Sequence, residues 1–360
     1  MDHSARQNKI AAELRRTGVD GLLVTHLPNI RYLCGFTGTA GVLVIAAGTG
    51  VSVFYTDGRY TQQATEEVRG AKVVITRKAA LFEAGEWLGR SRMRVIGFEA
   101  EHLSFGTAKR LGDSLRGKVR LKPLTGLVES LRLQKDSEEL NRIRASAKLA
   151  SDLLPAALAA IKPGTPESLV AGEMELQARR AGAEGMSFDT IVAAGPRSAL
   201  PHGRASGQPI PGNGFIILDW GVILSGYCSD LTRTLHVGPM SAEHRRMYQA
   251  VSDAQRASIE AVKPGIEAGK VDQAGRKVLE KAGYARYFTH STGHGVGLEV
   301  HEGPRLAKAL KDKLCPGMVI TIEPGIYIPD KGGVRIEDMV LVTESGHEVL
   351  TSAARDLITL

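Results

Sequence analysis

The chain has 360 residues, which is enough for about two domains. Its composition, 43% hydrophobic and 24% charged, is too apolar for intrinsic disorder and too polar for a membrane channel. The net charge is +7, and residues 1–135 hold 21 Lys and Arg against 12 Asp and Glu. Because these cations are scattered without interleaved aromatic residues, nucleic-acid binding is not favoured.

Two sequence features bear on cellular location. The longest apolar run, residues 41–48, is far shorter than the roughly 20 residues of a membrane-spanning helix, and the first residues lack the apolar core of a secretory signal. The three cysteines, Cys34, Cys228 and Cys315, are widely spaced and odd in number, which argues against a disulfide scaffold and a zinc–thiolate site. We therefore expect a cytoplasmic protein without a membrane partner.

The N-terminal part of the chain predicts an α/β domain. A helix is expected over residues 5–18, and a polar helical stretch over 59–69. Short β-branched runs typical of strands occupy residues 21–25, 41–46, 51–56, 72–75 and 94–99. Residues 122–124 and the charged segment 132–139 indicate a boundary, so we assign one domain to residues 1–130 and a second to residues 136–360.

The second domain predicts a long helix and then an internal repeat. The helix is expected over residues 136–160, with acidic residues in its first turn. The tripeptide Lys-Pro-Gly at 162–164 recurs at 263–265, and each copy continues through a helical stretch to an apolar strand that ends in a carboxylate, one residue and glycine. We expect an α+β domain with pseudo-two-fold symmetry, which would bring the two strands together.

Four carboxylates mark these strands and the segments that follow them. Asp219 ends the first strand and Asp230 follows it; Glu323 ends the second strand and Glu337 follows it. In each copy glycines lie between the two carboxylates, so we expect a hairpin that brings them close across adjacent strands. A buried carboxylate must be paired, protonated or bound to a cation, and Arg335 alone does not balance four of them. We therefore expect divalent cations; oxygen-rich ligation with one imidazole suits Mn²⁺, Co²⁺ or Zn²⁺.

Four histidines fall near the same place. They are His202, His290, His294 and His301. His290 and His294 have helical spacing, but the glycines at 293, 295 and 297 oppose a helix. We interpret this segment as a rigid glycine-rich turn that presents His294 to a metal ion.

Five ordered blocks carry a resemblance to a known family. They are residues 219–221 (DWG), 226–234 (GYCSDLTRT), 293–302 (GHGVGLEVHE), 321–325 (TIEPG) and 334–338 (VRIED). In them the chain resembles the metallopeptidases that include aminopeptidase P, prolidase and methionine aminopeptidase, which implies a pita-bread catalytic domain. Residues 29–38 and 55–60 resemble the creatinase-type N-terminal domain, which methionine aminopeptidases lack, so the resemblance favours the proline-specific branch.

The resemblance implies a dinuclear metal site, with two divalent ions per subunit and Mn²⁺ as the first choice. Asp219 would bind one ion, Asp230 and Glu337 would bridge both, and His294 and Glu323 would hold the second.

The resemblance also implies the catalytic residues. His202 and His301 would contact the substrate around the scissile carbonyl, and Glu323 would carry a proton to the leaving nitrogen. Arg335 would order the carboxylates, and His290 would support the site.

The implied activity is hydrolysis of the bond between an N-terminal residue and a following proline. We expect an Xaa-Pro aminopeptidase, with an Xaa-Pro dipeptidase (prolidase) as the alternative; the two differ in whether the C-terminal side of the site is capped. The resemblance also implies a homodimer. Two further alternatives remain. One is a non-catalytic peptide- or RNA-binding module on this fold, which the intact ligand set disfavours. The other is a phosphohydrolase that uses the same carboxylates, which the lack of a basic phosphate clamp disfavours.

Overall fold

The computed structural model describes residues 1–48, 51–115 and 117–360. The chain divides into two compact units, Met1–Arg132 and Leu133–Leu360. Within the described ranges, no helix combines the length and the apolar character needed to span a bilayer.

The first unit is an α/β structure built on one mixed six-stranded sheet, with the strand order β4-β3-β2-β1-β5-β6. The strands are β1 (Gly21–Val24), β2 (Val42–Ala46), β3 (Ser52–Asp57), β4 (Lys72–Thr76), β5 (Val95–Glu99) and β6 (Arg120–Leu124). The helices are α1 (His3–Arg16), α2 (Leu27–Cys34), α3 (Thr61–Glu67), α4 (Ala80–Arg90), α5 (Phe105–Ser114) and α6 (Leu127–Arg132). Leu23, Val44 and Ile96 from the sheet pack with helix residues such as Leu88 and Leu111 in one core.

Two details of the first unit differ from the prediction. Helix α1 ends at Arg16, because Gly18 adopts a left-handed conformation (φ +66°) that closes the helix. Strand β6 contains Pro123 and was interpreted from the sequence as part of a domain boundary. It lies at the edge of the sheet, parallel to β5, where a proline that lacks an N–H donor is tolerated.

The second unit is an α+β structure in which four small sheets surround the predicted site residues. The helices are α7 (Ser137–Asp152), α8 (Leu154–Ala160), α9 (Glu167–Arg180), α10 (Ala242–Glu260) and α11 (Ala268–Lys281). The first strands are β7 (Gly185–Met186), β8 (Ile191–Ala194), β9 (Gly214–Trp220), β10 (Val222–Leu224), β11 (Tyr227–Cys228) and β12 (Leu231–Val237). The remaining strands are β13 (Gly293–Gly295), β14 (Glu302–Leu306), β15 (Val319–Ile322), β16 (Gly325–Ile328), β17 (Gly332–Arg335), β18 (Asp338–Val342) and β19 (His347–Val349).

The single helix expected over residues 136–160 is two helices, α7 and α8. Helix α7 begins as expected, because the Asp136 side chain accepts from the N–H groups of Glu138 and Glu139, and the Glu139 carboxylate accepts from the N–H of Asp136. The break lies at Leu153, two residues before Pro155, whose missing N–H cannot continue the helical hydrogen bonds.

The internal repeat is present in the fold. Gly164 and Gly265 both adopt left-handed conformations (φ +88° and +82°), and helices α9 and α11 follow them. Strand β9 then pairs antiparallel with β12, as β15 pairs with β18. In each copy a short hairpin, β10–β11 or β16–β17, connects the two paired strands. The hairpin connections that we expected between the carboxylates are therefore confirmed.

Strand β9 separates the core of the second unit from the site. Ile216, Leu218 and Trp220 pack among residues of α7 and α9. The intervening residue Ile217 packs on the opposite face with Tyr327. Because strand side chains alternate, Asp219 points to the same face as Ile217 and away from the helices.

Candidate metal centre

The two strand pairs place four carboxylates around one cavity. Asp219 lies opposite Thr232 in the β9–β12 ladder, so Asp230, two residues before Thr232, projects to the same face. In the second copy Ile322 pairs with Asp338, which leaves Glu323 and Glu337 at the adjoining strand ends. All four carboxylates line a cavity of about 1000 Å³.

His294 completes the cluster from β13. Its Nε2 lies 3.6 Å from Asp230 Oδ2 and 3.6 Å from Glu323 Oε1. One ligand atom each from Asp230, His294 and Glu337 lies within 4.8 Å of the other two. These distances leave room for a cation among the donor atoms.

The glycines around His294 have a different role from the one we expected. The part that holds His294 is not a turn: Gly293–Gly295 is strand β13, between β14 and β15, and the chain bends beyond it. A Cβ on Gly293 would lie 1.9 Å from the Thr321 carbonyl oxygen, and one on Gly295 would lie 1.9 Å from that of Gly303. The glycines therefore allow neighbouring backbones to approach closely around the imidazole.

The tautomer of His294 favours metal binding. Its Nδ1 lies 3.0 Å from the carbonyl oxygen of Gly295, so Nδ1 carries the proton and donates. Burial lowers the pKa of His294 to about 4, and the ring is neutral at pH 7. The Nε2 lone pair consequently faces the oxygens of Asp230 and Glu323, an arrangement that a cation between them stabilises.

The carboxylates carry more negative charge than their protein neighbours balance. Arg335 Nη2 donates to Asp219 Oδ2 at 2.6 Å, and both side chains are buried. Burial, followed by repulsion from the neighbouring carboxylates, raises the pKa values of Asp230 and Glu337 well above their usual range. Burial raises the pKa of Glu323 to about 8.

One buried oxygen of the cluster has no protein donor. Among the described residues, Asp219 Oδ1 has no hydrogen-bond partner. A buried carboxylate oxygen without a donor is costly. The donor set, four carboxylates and one neutral imidazole, therefore fits hard or borderline divalent cations.

The remaining predicted residues line the same cavity. They are His202, His290, His301 and Arg335. His301 is next to the cluster, with its ring centroid 4.4 Å from that of His294, and burial lowers its pKa. His202 lies on the exposed segment before β9. The structure thus brings together every residue that we expected at the site.

Sequence reasoning missed Tyr327, which connects two predicted residues. Arg335 Nη1 donates to the Tyr327 hydroxyl at 2.7 Å, and that hydroxyl lies 2.9 Å from His290 Nε2. Burial lowers the pKa of His290 to about 4, and its Nδ1 lies 2.8 Å from the carbonyl oxygen of the next residue, so Nδ1 donates there and Nε2 accepts from the hydroxyl. No local signal identifies the tyrosine: Gly333 lies opposite Tyr327 in the β16–β17 hairpin, but a Cβ there would first meet the Ser198 carbonyl oxygen, at 2.1 Å, so the glycine is not specific to the tyrosine.

Comparison with known proteins identifies the family. The model of metallopeptidase family M24 matches residues 141–344, and that of the creatinase/prolidase N-terminal domain matches residues 6–134. The chain belongs to metallopeptidase family M24. The predicted fold class, an α/β N-terminal domain and an α+β pita-bread catalytic domain with an internal repeat, is confirmed.

Three M24 relatives illustrate the range of named activities. An Xaa-Pro dipeptidase of Pyrococcus horikoshii is 36% identical, over 97% of each chain. The structure of an Xaa-Pro dipeptidase from Bacillus anthracis is 38% identical, covers 100% of both chains and superposes with a TM-score of 0.96. The structure of an X-Pro aminopeptidase from Thermotoga maritima is 32% identical and covers 97% of this chain and 100% of its own, with a TM-score of 0.88.

Proposed function

We propose that this M24 metallopeptidase is an Xaa-Pro dipeptidase, which hydrolyses dipeptides that end in proline. The sequence favoured an aminopeptidase and kept the dipeptidase as its alternative; the comparisons support the alternative, because the aminopeptidase is the least similar of the three relatives. The observation that carries the proposal is the buried cluster of four carboxylates and a neutral imidazole in a chain of this family.

We infer two divalent ions per subunit, with Mn²⁺ first and Co²⁺ or Zn²⁺ as alternatives. Asp219 would hold one ion, Asp230 and Glu337 would be shared, and His294 and Glu323 would hold the other. The unpartnered Asp219 oxygen and the inward-facing His294 lone pair support this assignment. Once bound, such ions polarise the scissile carbonyl and lower the pKa of a bound water.

The protein's own groups would then position the peptide and move the proton. Glu323 lines the cavity and would take a proton from the attacking water and deliver it to the proline nitrogen. The imidazoles of His202 and His301 would donate to the oxygen of the scissile carbonyl, where negative charge develops. Arg335 holds Asp219 in place, and His290 contributes indirectly through Tyr327.

A cation on the cavity wall supports a dipeptide substrate. Arg305, on β14, is exposed, lines the cavity and has no ion-pair partner in the described part of the chain. A dipeptide carries its free carboxylate directly on the proline, within reach of such a cation, whereas a longer peptide places an amide there. Binding of that carboxylate by Arg305 would favour dipeptides over longer peptides.

The test compares three substrates that share one N-terminal residue: an Xaa-Pro dipeptide, its C-terminal amide and a peptide extended beyond proline. We expect the Mn²⁺-loaded protein to hydrolyse the dipeptide with a kcat/KM about 10–100 times that for the amide, which lacks the carboxylate. Arg305→Met should reduce this preference by raising KM for the dipeptide alone. Arg256, an exposed arginine on α10, is paired with Asp253 and provides the control. The variant Arg256→Met should keep the preference for the dipeptide over the amide.

The three substrates also separate the alternatives. Release of the N-terminal residue from the extended peptide at the dipeptide's rate would restore the aminopeptidase hypothesis. If none of the three substrates is cleaved with Mn²⁺, Co²⁺ or Zn²⁺, the proposal is wrong.

We also propose a cytoplasmic homodimer, with domains at residues 1–130 and 136–360. The three free thiols of the structure support a cytoplasmic location, because a reducing compartment keeps cysteines unpaired. Sedimentation analysis of the purified protein tests the oligomeric state.

A further inference from the structure

A buried ion pair joins Glu302, a residue of the cavity wall, to Lys135, which does not line the cavity. Lys135 Nζ is 3.3 Å from Glu302 Oε2, and the two side chains are only 1% and 7% exposed. Glu302 follows His301 in the chain. Burying an ammonium group is costly unless an opposite charge compensates it, and the Glu302 carboxylate provides that charge.

The segment before His301 is wound around the Glu302 carboxylate. Oε1 accepts from the N–H of Glu299 at 3.0 Å. A Cβ on Gly297 would lie 2.6 Å from Oε2, so the carboxylate fills the space that a side chain would need there. The N–H of Gly297 donates to the carbonyl of Glu299, and its own carbonyl accepts from Cys228. The carboxylate is therefore the centre of the segment that joins His294 to His301.

Lys135 is itself held firmly. Its N–H donates to the carbonyl of Gly317 at 2.9 Å, and the next residue, Asp136, caps helix α7. The ammonium group is thus presented to Glu302 from a backbone that is fixed on both sides.

We propose that Lys135 is a positioning residue for His301. Its ammonium group holds the Glu302 carboxylate, the carboxylate holds segment 297–302, and the segment sets the His301 ring beside His294. The inference rests on the proposed function, because it assigns His301 to the substrate's carbonyl. Lys135 itself does not line the cavity and would not touch the substrate.

The test uses two single variants and their combination. Lys135→Met removes the ammonium group from a buried carboxylate, and Glu302→Gln removes the carboxylate from a buried ammonium group. Each should lower kcat about 10–100-fold at saturating Mn²⁺, since displacement of a substrate-contacting group by about 1 Å has effects of this size. The double variant removes both charges, and the amide oxygen of the introduced glutamine can still accept from Glu299. The logarithm of its kcat should return at least halfway from the values of the single variants to the wild-type value.

Hydrogen exchange gives a readout that needs neither substrate nor metal. In the metal-free protein, amides of residues 296–302 should exchange about tenfold faster in Lys135→Met than in wild type, whereas those of strand β12 should not change. Val170→Ala serves as a control, because it removes two methyl groups from the core of the second unit at a fully buried position. It should lower Tm but leave kcat and exchange of residues 296–302 as in wild type.

The outcomes distinguish the inference from the proposed function. If Lys135→Met keeps wild-type kcat and wild-type exchange of residues 296–302, whatever happens to Tm, the pair is only a stabilising contact and the inference is wrong. A double variant no better than either single variant would also refute it. If wild type cleaves no Xaa-Pro substrate, the proposed function fails, and the exchange data alone decide whether Lys135 holds the segment. If Lys135→Met does not fold, Glu302→Gln and the double variant make the same comparison.

Discussion

Replacing Glu337 by glutamine should move stability in opposite directions with and without metal. Glu337 is buried, and its Oε2 accepts from the Thr232 hydroxyl at 2.7 Å, a bond that the amide oxygen of glutamine can keep. The substitution therefore removes one negative charge with little change in shape. In the metal-free protein this relieves repulsion, whereas in the metal-loaded protein it removes a ligand.

The structure sets the size of the effect. A carboxylate oxygen of Glu337 lies within 4.8 Å of one from Asp230. At an effective dielectric constant of about 20, unit charges at that distance repel by about 3.5 kcal/mol. Protonation already relieves part of this repulsion. We therefore expect Glu337→Gln to raise the free energy of unfolding of the metal-free protein by about 1–3 kcal/mol, which corresponds to roughly 2–10 °C in Tm.

Thermal unfolding at pH 8, with chelator and with Mn²⁺, measures both directions. Glu337→Gln should melt above wild type in chelator and below it in Mn²⁺, and its hydrolytic activity should be lost. Glu344→Gln is the control, because Glu344 is exposed. Its replacement should change neither the Tm in chelator nor the Tm in Mn²⁺. A metal-free Glu337→Gln protein that melts below wild type, or a variant that keeps wild-type turnover, would refute the reasoning.

Two further predictions concern the pH dependence and the tyrosine. Because the pKa of Glu323 rises from 4.5 to about 8 on folding, its carboxyl group in the metal-free folded protein keeps a proton that the unfolded chain releases, so its contribution to stability falls as the pH rises from about 4.5 to 8. The lowered pKa values of His290 and His294 act in the opposite direction below pH 6.5, and the variant Glu323→Gln shares them, so the quantity to measure is the Tm of wild type minus the Tm of Glu323→Gln in chelator. This difference should fall over that pH range, and a constant or rising difference would contradict the assignment. Tyr327→Phe removes the hydroxyl between Arg335 and His290 and should lower kcat about tenfold with KM little changed; steady-state kinetics that match wild type would show that this connection is not needed.

The sequence predicted the parts of the molecule that repeat or alternate in character. Each copy carries an apolar strand ended by a carboxylate, which is costly to bury, so the charge pattern and the repeat together located the cluster around Asp219 and Glu323. In each copy glycines lie between the two carboxylates, and this pattern also predicted the hairpins between the paired strands. What a pattern shows twice is easier to recognise than what occurs once.

The features that were missed depend on tertiary contacts. Pro123 is tolerated in β6 only because the strand is at a sheet edge, and edge position is not visible in the local sequence. The helix break is the exception, because its signal, Pro155, is local. The contacts of Tyr327 with His290 and of Lys135 with Glu302 join residues 37 and 167 positions apart, so no local spacing could predict them.

Metal add-back to the chelator-treated protein tests the central claim most directly. Mn²⁺ is titrated by calorimetry while hydrolysis of an Xaa-Pro dipeptide is followed in parallel samples. We predict negligible hydrolysis before addition, binding of two ions per chain and activity that returns as they bind. Full hydrolysis by protein verified to be metal-free, or absence of Mn²⁺ binding to the folded chain, would contradict the claim.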